Sequence, residues 1–394
     1  MTRSDLPSGD GAATLAPAPP ADWLAVAHDA SARIAARAAD DDHAGGFPTE
    51  SLADLHASGL LLAPAERAYG GAGLAGDPAQ AHRLYAILTA AGRGSLPLGR
   101  LYEGHVNALA LVQAYGTADQ RRRAARDAEA GHLFGVWNTE IPRDGVRLEP
   151  LPGGRVRMQG AKTFCSGAGR VSRILTTGAL PDGGWQMVLV PTDRVQTRAE
   201  PEAWCAEGMR ATASGRVDFS DAVLAPGDVI GAPGDYTREP YFNGGAVRFA
   251  AVQLGGAEAL ADAAADHLRM LGRTGSETQQ IRMGEVAVAL ESGRLWMLGA
   301  ARLGERAARA DGALDDAVVA YAQQARTAVE RVCLDVLERV DRAVGARGML
   351  PPCAVERVGR DLRLYLRQPN PDGAVAAAGA AALAHPDHAR GSDV

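Results

Sequence analysis

The spacing of apolar residues along this chain changes period twice. From residue 21 to about 130 it is helical: Trp23, Leu24, Val26 and Ala27 open one stripe, and Leu52, Leu55 and Leu60 continue another. Phe47-Pro48-Thr49-Glu50 reads as a helix start with proline in the first turn. Residues 82–91 and 105–115 are predicted as further helices, the second stopped by Gly116. From 131 to 240 the apolar positions alternate in short runs, at 155–158, 185–190 and 216–219. Turn signals such as Arg143-Asp144-Gly145, Pro152-Gly153-Gly154 and Pro181-Asp182-Gly183-Gly184 separate them, which predicts a small antiparallel β-domain. From 241 to 384 helical periods return over 247–269, 280–309, 313–344 and 357–366, the lengths of a helix bundle. The expected fold class is α+β: an N-terminal α-helical domain (21–130), a middle antiparallel β-domain (131–240) and a C-terminal four-helix bundle (241–384). Residues 1–20 and 385–394, rich in small and polar residues with no apolar signal region, read as disordered tails.

Composition narrows the function. The chain has 394 residues, 46% of them hydrophobic, enough for a large core. A net charge of -6 without a basic face, and an aromatic content of 5%, argue against nucleic acid as a partner. No apolar run reaches the 18 residues of a membrane span. Cys165, Cys205, Cys333 and Cys353 lack metal-ligand spacing and fit a reducing cytoplasm. Lys162 is the sole lysine in an arginine-rich chain.

Two segments carry candidate chemistry. Phe134-Gly135-Val136-Trp137-Asn138-Thr139 and Gly160-Ala161-Lys162-Thr163-Phe164-Cys165-Ser166 are apolar runs that end in a hydroxyl residue. Strands of this kind present a backbone edge and a hydroxyl to a flat, polar-edged ring. Taken alone, Ser166 also reads as a turn residue, because Gly167-Ala168-Gly169 follows it.

The order of domains, together with five motifs, resembles the acyl-CoA dehydrogenase superfamily of flavoproteins. The motifs are Phe47-Pro48-Thr49-Glu50 with Tyr69-Gly70-Gly71-Ala72-Gly73, Thr139-Glu140, Lys162-Thr163-Phe164-Cys165-Ser166-Gly167, Met209-Arg210 through Phe219, and Gly345-Ala346-Arg347-Gly348 followed by Glu356 and Arg360-Asp361. The resemblance spans about residues 21–382. It implies FAD held between the β-domain and the bundle, with Trp137, Asn138, Thr139, Phe164 and Ser166 around the ring. It also implies Arg273 (with Arg269 as competitor) and Gln280, together with Arg342, Gly345 and Gly348, at the far half of the cofactor. In the family a neighbouring subunit completes that half, so a homodimer or homotetramer is expected. The implied reaction is hydride transfer to flavin N5 from an acyl thioester of CoA or a carrier protein, with an electron-transfer partner or oxygen as acceptor.

The chain departs from the family where the catalytic glutamate belongs. Pro369 or a direct neighbour stands at its place after Arg360-Asp361, and Val247 stands at the alternative place before Arg248. Abstraction of an α-proton needs a positioned base. Three readings follow. Asp372 supplies a displaced base. Alternatively, the protein is an FAD-dependent monooxygenase that hydroxylates or N-oxidises a small metabolite through a C4a-peroxyflavin, with His105 near the flavin. The third is a non-catalytic flavin-binding homologue.

Overall fold

Asp22 starts the first helix: its Oδ1 accepts from the Leu24 and Ala25 amides at 2.9 and 3.2 Å, satisfying donors that a helix leaves free. The computed structural model describes residues 22–310 and 315–384, so both predicted tails lie outside the described residues. The N-terminal helices are α1 (Trp23–Ala44), α2 (Thr49–Ala57), α3 (Ala81–Gly94), α4 (Leu96–Tyr115) and α5 (Ala118–Glu129). α4 begins nine residues earlier than its periodicity suggests. Ser95 caps it, accepting from the Leu98 amide, and Pro97 occupies the first turn, where a missing N–H costs nothing. Nearly every residue of α4 from Leu96 to Val112 is buried, which makes it the central rod of the molecule.

Ten strands follow: β1 (Phe134–Trp137), β2 (Arg147–Leu151), β3 (Arg155–Gln159), β4 (Ala161–Cys165), β5 (Arg173–Ala179), β6 (Trp185–Pro191), β7 (Arg198–Glu200), β8 (Gly215–Asp218), β9 (Val223–Leu224) and β10 (Val229–Ile230). They form a larger sheet, β10-β6-β5-β2-β3-β9 with β1 also on β5, and a smaller one, β4-β8-β7. Pairing is antiparallel except at β5, which β1 and β2 join in parallel. The sole lysine ties the sheets together. Lys162 on β4 is buried, ion-paired to Glu140 and 5.4 Å over the Trp185 ring of β6, and Glu140 also accepts from the Val146 amide at 3.0 Å.

The C-terminal helices are α6 (Tyr241–Met270), α7 (Glu277–Ala308), α8 (Asp315–Gly348), α9 (Ala354–Tyr365) and α10 (Pro371–Ala384). The first four make the expected bundle, and α10 adds a fifth rod against α8. α6 joins the bundle to the N-terminal domain by packing on α3 at backbone distance. A Cβ at Gly92 would collide with the Val252 carbonyl, and one at Gly255 with that of Thr89. The Thr89 hydroxyl donates to the Ala251 carbonyl at 3.1 Å across the same seam.

Candidate active site

A cavity of about 660 Å³ opens where the end of β1, the middle of α4, the start of α6 and the 366–374 segment converge. Its volume suits a ligand of cofactor size. Aromatic and aliphatic side chains make much of the wall, among them Trp137, Phe164, Tyr236, Phe242 and Phe249. Of the ring-lining set expected from sequence, Trp137, Asn138, Thr139 and Phe164 meet here. Ser166 lies in an adjoining recess that shares Phe164 with the cavity.

Each is placed by local structure. Phe164 adopts a left-handed backbone (φ +55°) at an irregularity in the β4–β8 pairing; its ring is 48% exposed and meets Trp204 edge-on at 5.7 Å. Such a backbone is strained in a non-glycine residue, and strain of this kind concentrates at functional sites. Asn138 Oδ1 accepts from the Thr177 amide and hydroxyl at 2.8 and 2.9 Å, which fixes the side chain and leaves its Nδ2 beside the Tyr236 hydroxyl at the cavity wall. Thr139 is exposed at the strand end, and its carbonyl accepts from the Thr163 amide at 2.9 Å. An aromatic wall, an amide side chain and an exposed threonine at the strand end fit the polar edge of an isoalloxazine ring.

The floor of the cavity is a charged network that the sequence reading missed. Arg100, Glu103 and Asn107 lie on one face of α4, and Arg248 of α6 reaches them. Arg100 Nη1 donates to Glu103 Oε2 at 2.9 Å; Asn107 donates to Glu103 and accepts from Arg248. Burial pushes the Glu103 carboxyl up to about 7, against the pull of Arg100, Arg248 and Asn107. Spacing of i, i+3 and i+7 on an otherwise apolar helix was the available signal; the contribution of α6, more than 140 residues away, had none.

His105 faces away from this network. It is fully buried; Nε2 lies 2.7 Å from the Leu61 carbonyl, and Nδ1 accepts from the Phe134 amide at 3.1 Å. Those bonds require the Nε2–H tautomer, and burial lowers the ring to about 4, so it stays neutral. His105 clamps α4 to β1 and does not line the cavity. Asp372 is exposed in the first turn of α10 and is also outside the lining, although Asn370 and Ala374 contribute to it. The Pro371-Asp372-Gly373 stretch opens a helix with proline in its first turn.

The other expected cofactor residues gather at the far end of the bundle. Gln280 donates to the Thr274 carbonyl at 3.1 Å, and Arg282 ties this end to the Arg342 carbonyl at 3.0 Å. Arg342 pairs with Glu338, and Gly345 has a left-handed φ of +63° near the end of α8. Arg273, Gln280, Arg342, Gly345 and Gly348 do not line the cavity within this protomer. Arg363 of α9 pairs with Asp341, whereas Arg367 lines the cavity.

The segment after α9, where the resemblance places a catalytic glutamate, is held by side chains of two helices. Arg326 of α8 donates to the Leu366 and Gln368 carbonyls at 3.2 and 3.3 Å, and Gln253 of α6 donates to those of Tyr365 and Gln368 at 3.0 and 2.9 Å. Pro369 sits in the cavity wall. Val247, at the alternative position, is buried and outside the lining.

Residues 25–131 match the family model "Acyl-CoA dehydrogenase, N-terminal domain", and residues 247–366 match "Acyl-CoA dehydrogenase, C-terminal domain". This chain belongs to the acyl-CoA dehydrogenase superfamily. It is 28% identical over 376 residues to dibenzothiophene monooxygenase of Rhodococcus erythropolis, covering 87% of this chain and 89% of that protein. It is 26% identical over 370 residues to the probable FMNH2-dependent monooxygenase SfnC of Pseudomonas putida, with 88% and 90% covered. The dibenzothiophene monooxygenase TdsC from Paenibacillus sp. A11-2 shares the fold at a TM-score of 0.81 and 22% identity, over 90% of this chain and 95% of that one. Butyryl-CoA dehydrogenase from Megasphaera elsdenii shares it at 0.79 and 18%, over 91% and 97%. The superfamily member described here is thus a flavoprotein of a fold used for both dehydrogenation and oxygenation.

Proposed function

We propose that this protein is a flavin-dependent monooxygenase that uses reduced FMN and O2 to oxygenate a small aromatic metabolite. One observation carries the reading. Among the described residues the cavity is lined by a single carboxylate, Glu103, which is engaged by Arg100 and Asn107, and the place expected for a dehydrogenase's base falls on Pro369 or a direct neighbour. Removing an α-proton needs such a base, and oxygen insertion does not. The two monooxygenases at 26–28% identity support the same choice. FMN is preferred to the FAD expected from sequence because a relative that covers most of this chain is described as FMNH2-dependent.

Bound reduced flavin supplies two electrons and the site of oxygen activation; one oxygen atom enters the substrate and the other leaves as water. The chain's own residues do the rest. Trp137, Asn138 and Thr139 orient the ring edge, Phe164 and Phe249 provide apolar walls that exclude water, and the Arg100–Glu103–Arg248 floor holds fixed charge beneath the reacting groups. The test uses dibenzothiophene and indole, each with reduced FMN and 18O2. Product carrying one 18O atom is expected, with no bleaching of bound flavin by butyryl-CoA under anaerobic conditions. Anaerobic bleaching without oxygenated product would return the protein to the dehydrogenases.

The reading includes a homo-oligomer. Ile281, Val288 and Leu295 recur every seven residues along one face of α7 and are 56%, 74% and 58% exposed, an apolar stripe suited to a second copy. Val288→Asp is expected to lower the mass measured by light scattering by at least half while leaving the far-UV spectrum unchanged. An unchanged mass would remove this face from the assembly.

A further inference from the structure

Two buried donors beside the cavity have nothing to bond. Tyr365 of α9 is 2% exposed, and its hydroxyl has no hydrogen-bond partner among the described residues. Arg100 uses Nη1 on Glu103, but its buried Nε is likewise unpartnered. The two flank one ring: the Arg100 guanidinium lies 4.8 Å over Phe249, and the Tyr365 ring lies 5.5 Å from it. Both line the recess that also holds Ser166, and Arg100 lines the main cavity as well. An unmade hydrogen bond on a buried hydroxyl or guanidinium is costly, so a fold tolerates two in one place where a ligand satisfies them. The recess has about 20 Å³ of free space. That is room for one oxygen-sized group, since a single water needs roughly 10–15 Å³.

We propose that Arg100 and Tyr365 form a two-donor seat for one oxygen of the substrate, so that the preferred substrate is an aromatic ring bearing a phenolic or carbonyl oxygen rather than a bare heteroarene. This rests on the monooxygenase reading for its use in turnover, but not for the binding itself. Arg100 is permanently charged and favours an oxygen that carries negative charge. Burial, with Glu103 nearby, keeps the Tyr365 hydroxyl protonated well past its ordinary range, so its proton stays available to donate. The apolar remainder of the cavity receives the ring, and the oxygen in the recess sets which ring position meets the reacting centre. Tyr365 is in this sense a positioning residue. A site built to bond a substrate oxygen discriminates strongly against the analogue that lacks it, because its donors are then left buried and bare.

The experiment compares 2-naphthol with naphthalene on the full chain, with and without saturating FMN, by fluorescence titration. The wild-type protein is expected to bind 2-naphthol at least about tenfold more tightly, and Tyr365→Phe to erase most of that preference. The same variant should unfold at an unchanged or higher denaturant midpoint, because it removes a polar atom with no partner. Equal preference in wild type and variant overturns the seat. A variant that loses FMN affinity while keeping its preference for 2-naphthol assigns the seat to the flavin and overturns the proposal. A lowered midpoint assigns the hydroxyl a structural role and overturns it too. Failure of the 18O2 experiment with retained 2-naphthol preference would reject the oxygenase reading and leave the seat standing.

Discussion

Replacing Arg326 with methionine is expected to cost about 3–5 kcal/mol of unfolding free energy, the range for breaking a buried ion pair from one side. Arg326 is fully buried on α8, bonded to Glu330 one turn away and to the Leu366 and Gln368 carbonyls. Methionine fills much of the volume but leaves those two carbonyls short of a donor and Glu330 with only Arg367. Urea titration measures the loss. Amide exchange over residues 365–370 should rise in the same variant, because that strip loses its anchor to α8. Arg367→Met is the contrast. Its side chain is 55% exposed although it reaches the same Glu330, so a cost of about 1 kcal/mol or less is expected. Equal losses for the two arginines would mean that burial does not govern this network.

The second large effect is on pH. Asp361 is 1% exposed; its Oδ1 accepts from the Met209 amide at 2.5 Å. Burial raises its carboxyl from 3.8 to about 7, with Asp42 adding to the rise and Arg360 and Arg357 opposing it. The native protein therefore holds a proton between about pH 4 and 7 that the unfolded chain has released. Stability from this group is fully present below the unfolded pKa and disappears as pH climbs through 7, by about 4 kcal/mol. Glu103, raised from 4.5 to about 7, adds a slope of the same sign over about pH 4.5–7. His105, lowered to about 4, contributes the opposite slope, losing stability as pH falls from 6.5 towards 4. Comparison with Asp361→Asn isolates the aspartate. The asparagine Oδ1 keeps the Met209 bond and does not titrate, so the stability difference between variant and wild type should move by several kcal/mol in the variant's favour from pH 4 to pH 8. A difference that stays constant across that range would mean the aspartate is ionised in the native protein throughout.

The order of helices, sheets and bundle was legible because the period of the apolar residues changes at each boundary, and the superfamily followed from motifs in that order. What escaped was set by contacts remote in sequence or by signals with two meanings. Pro97 and Gly99 look like breakers, yet Ser95 caps a helix that runs straight through them. Pro371-Asp372-Gly373 suits a turn equally well, and the alanines after it carry no period to say otherwise. The parallel partners of β5 leave no local trace, since turn signals report hairpins only. In the cavity, Trp137, Asn138, Thr139 and Phe164 came from motif, whereas Glu103 acquires its character from burial in the folded molecule, with Arg248 of a helix far along the chain opposing the shift. His105 attracted notice as an imidazole, but its position on α4 turns it towards Leu61 and Phe134 instead of the cavity.

The inter-sheet clasp has a practical consequence. Lys162 carries the chain's only ε-amine, and that nitrogen is sealed against Glu140 and Trp185. Amine-directed acylating reagents will find the native molecule nearly inert apart from its α-amino group. Incorporation of a label at this one position therefore requires the two sheets to part, and a single peptide mass becomes a clock for opening of the β-domain.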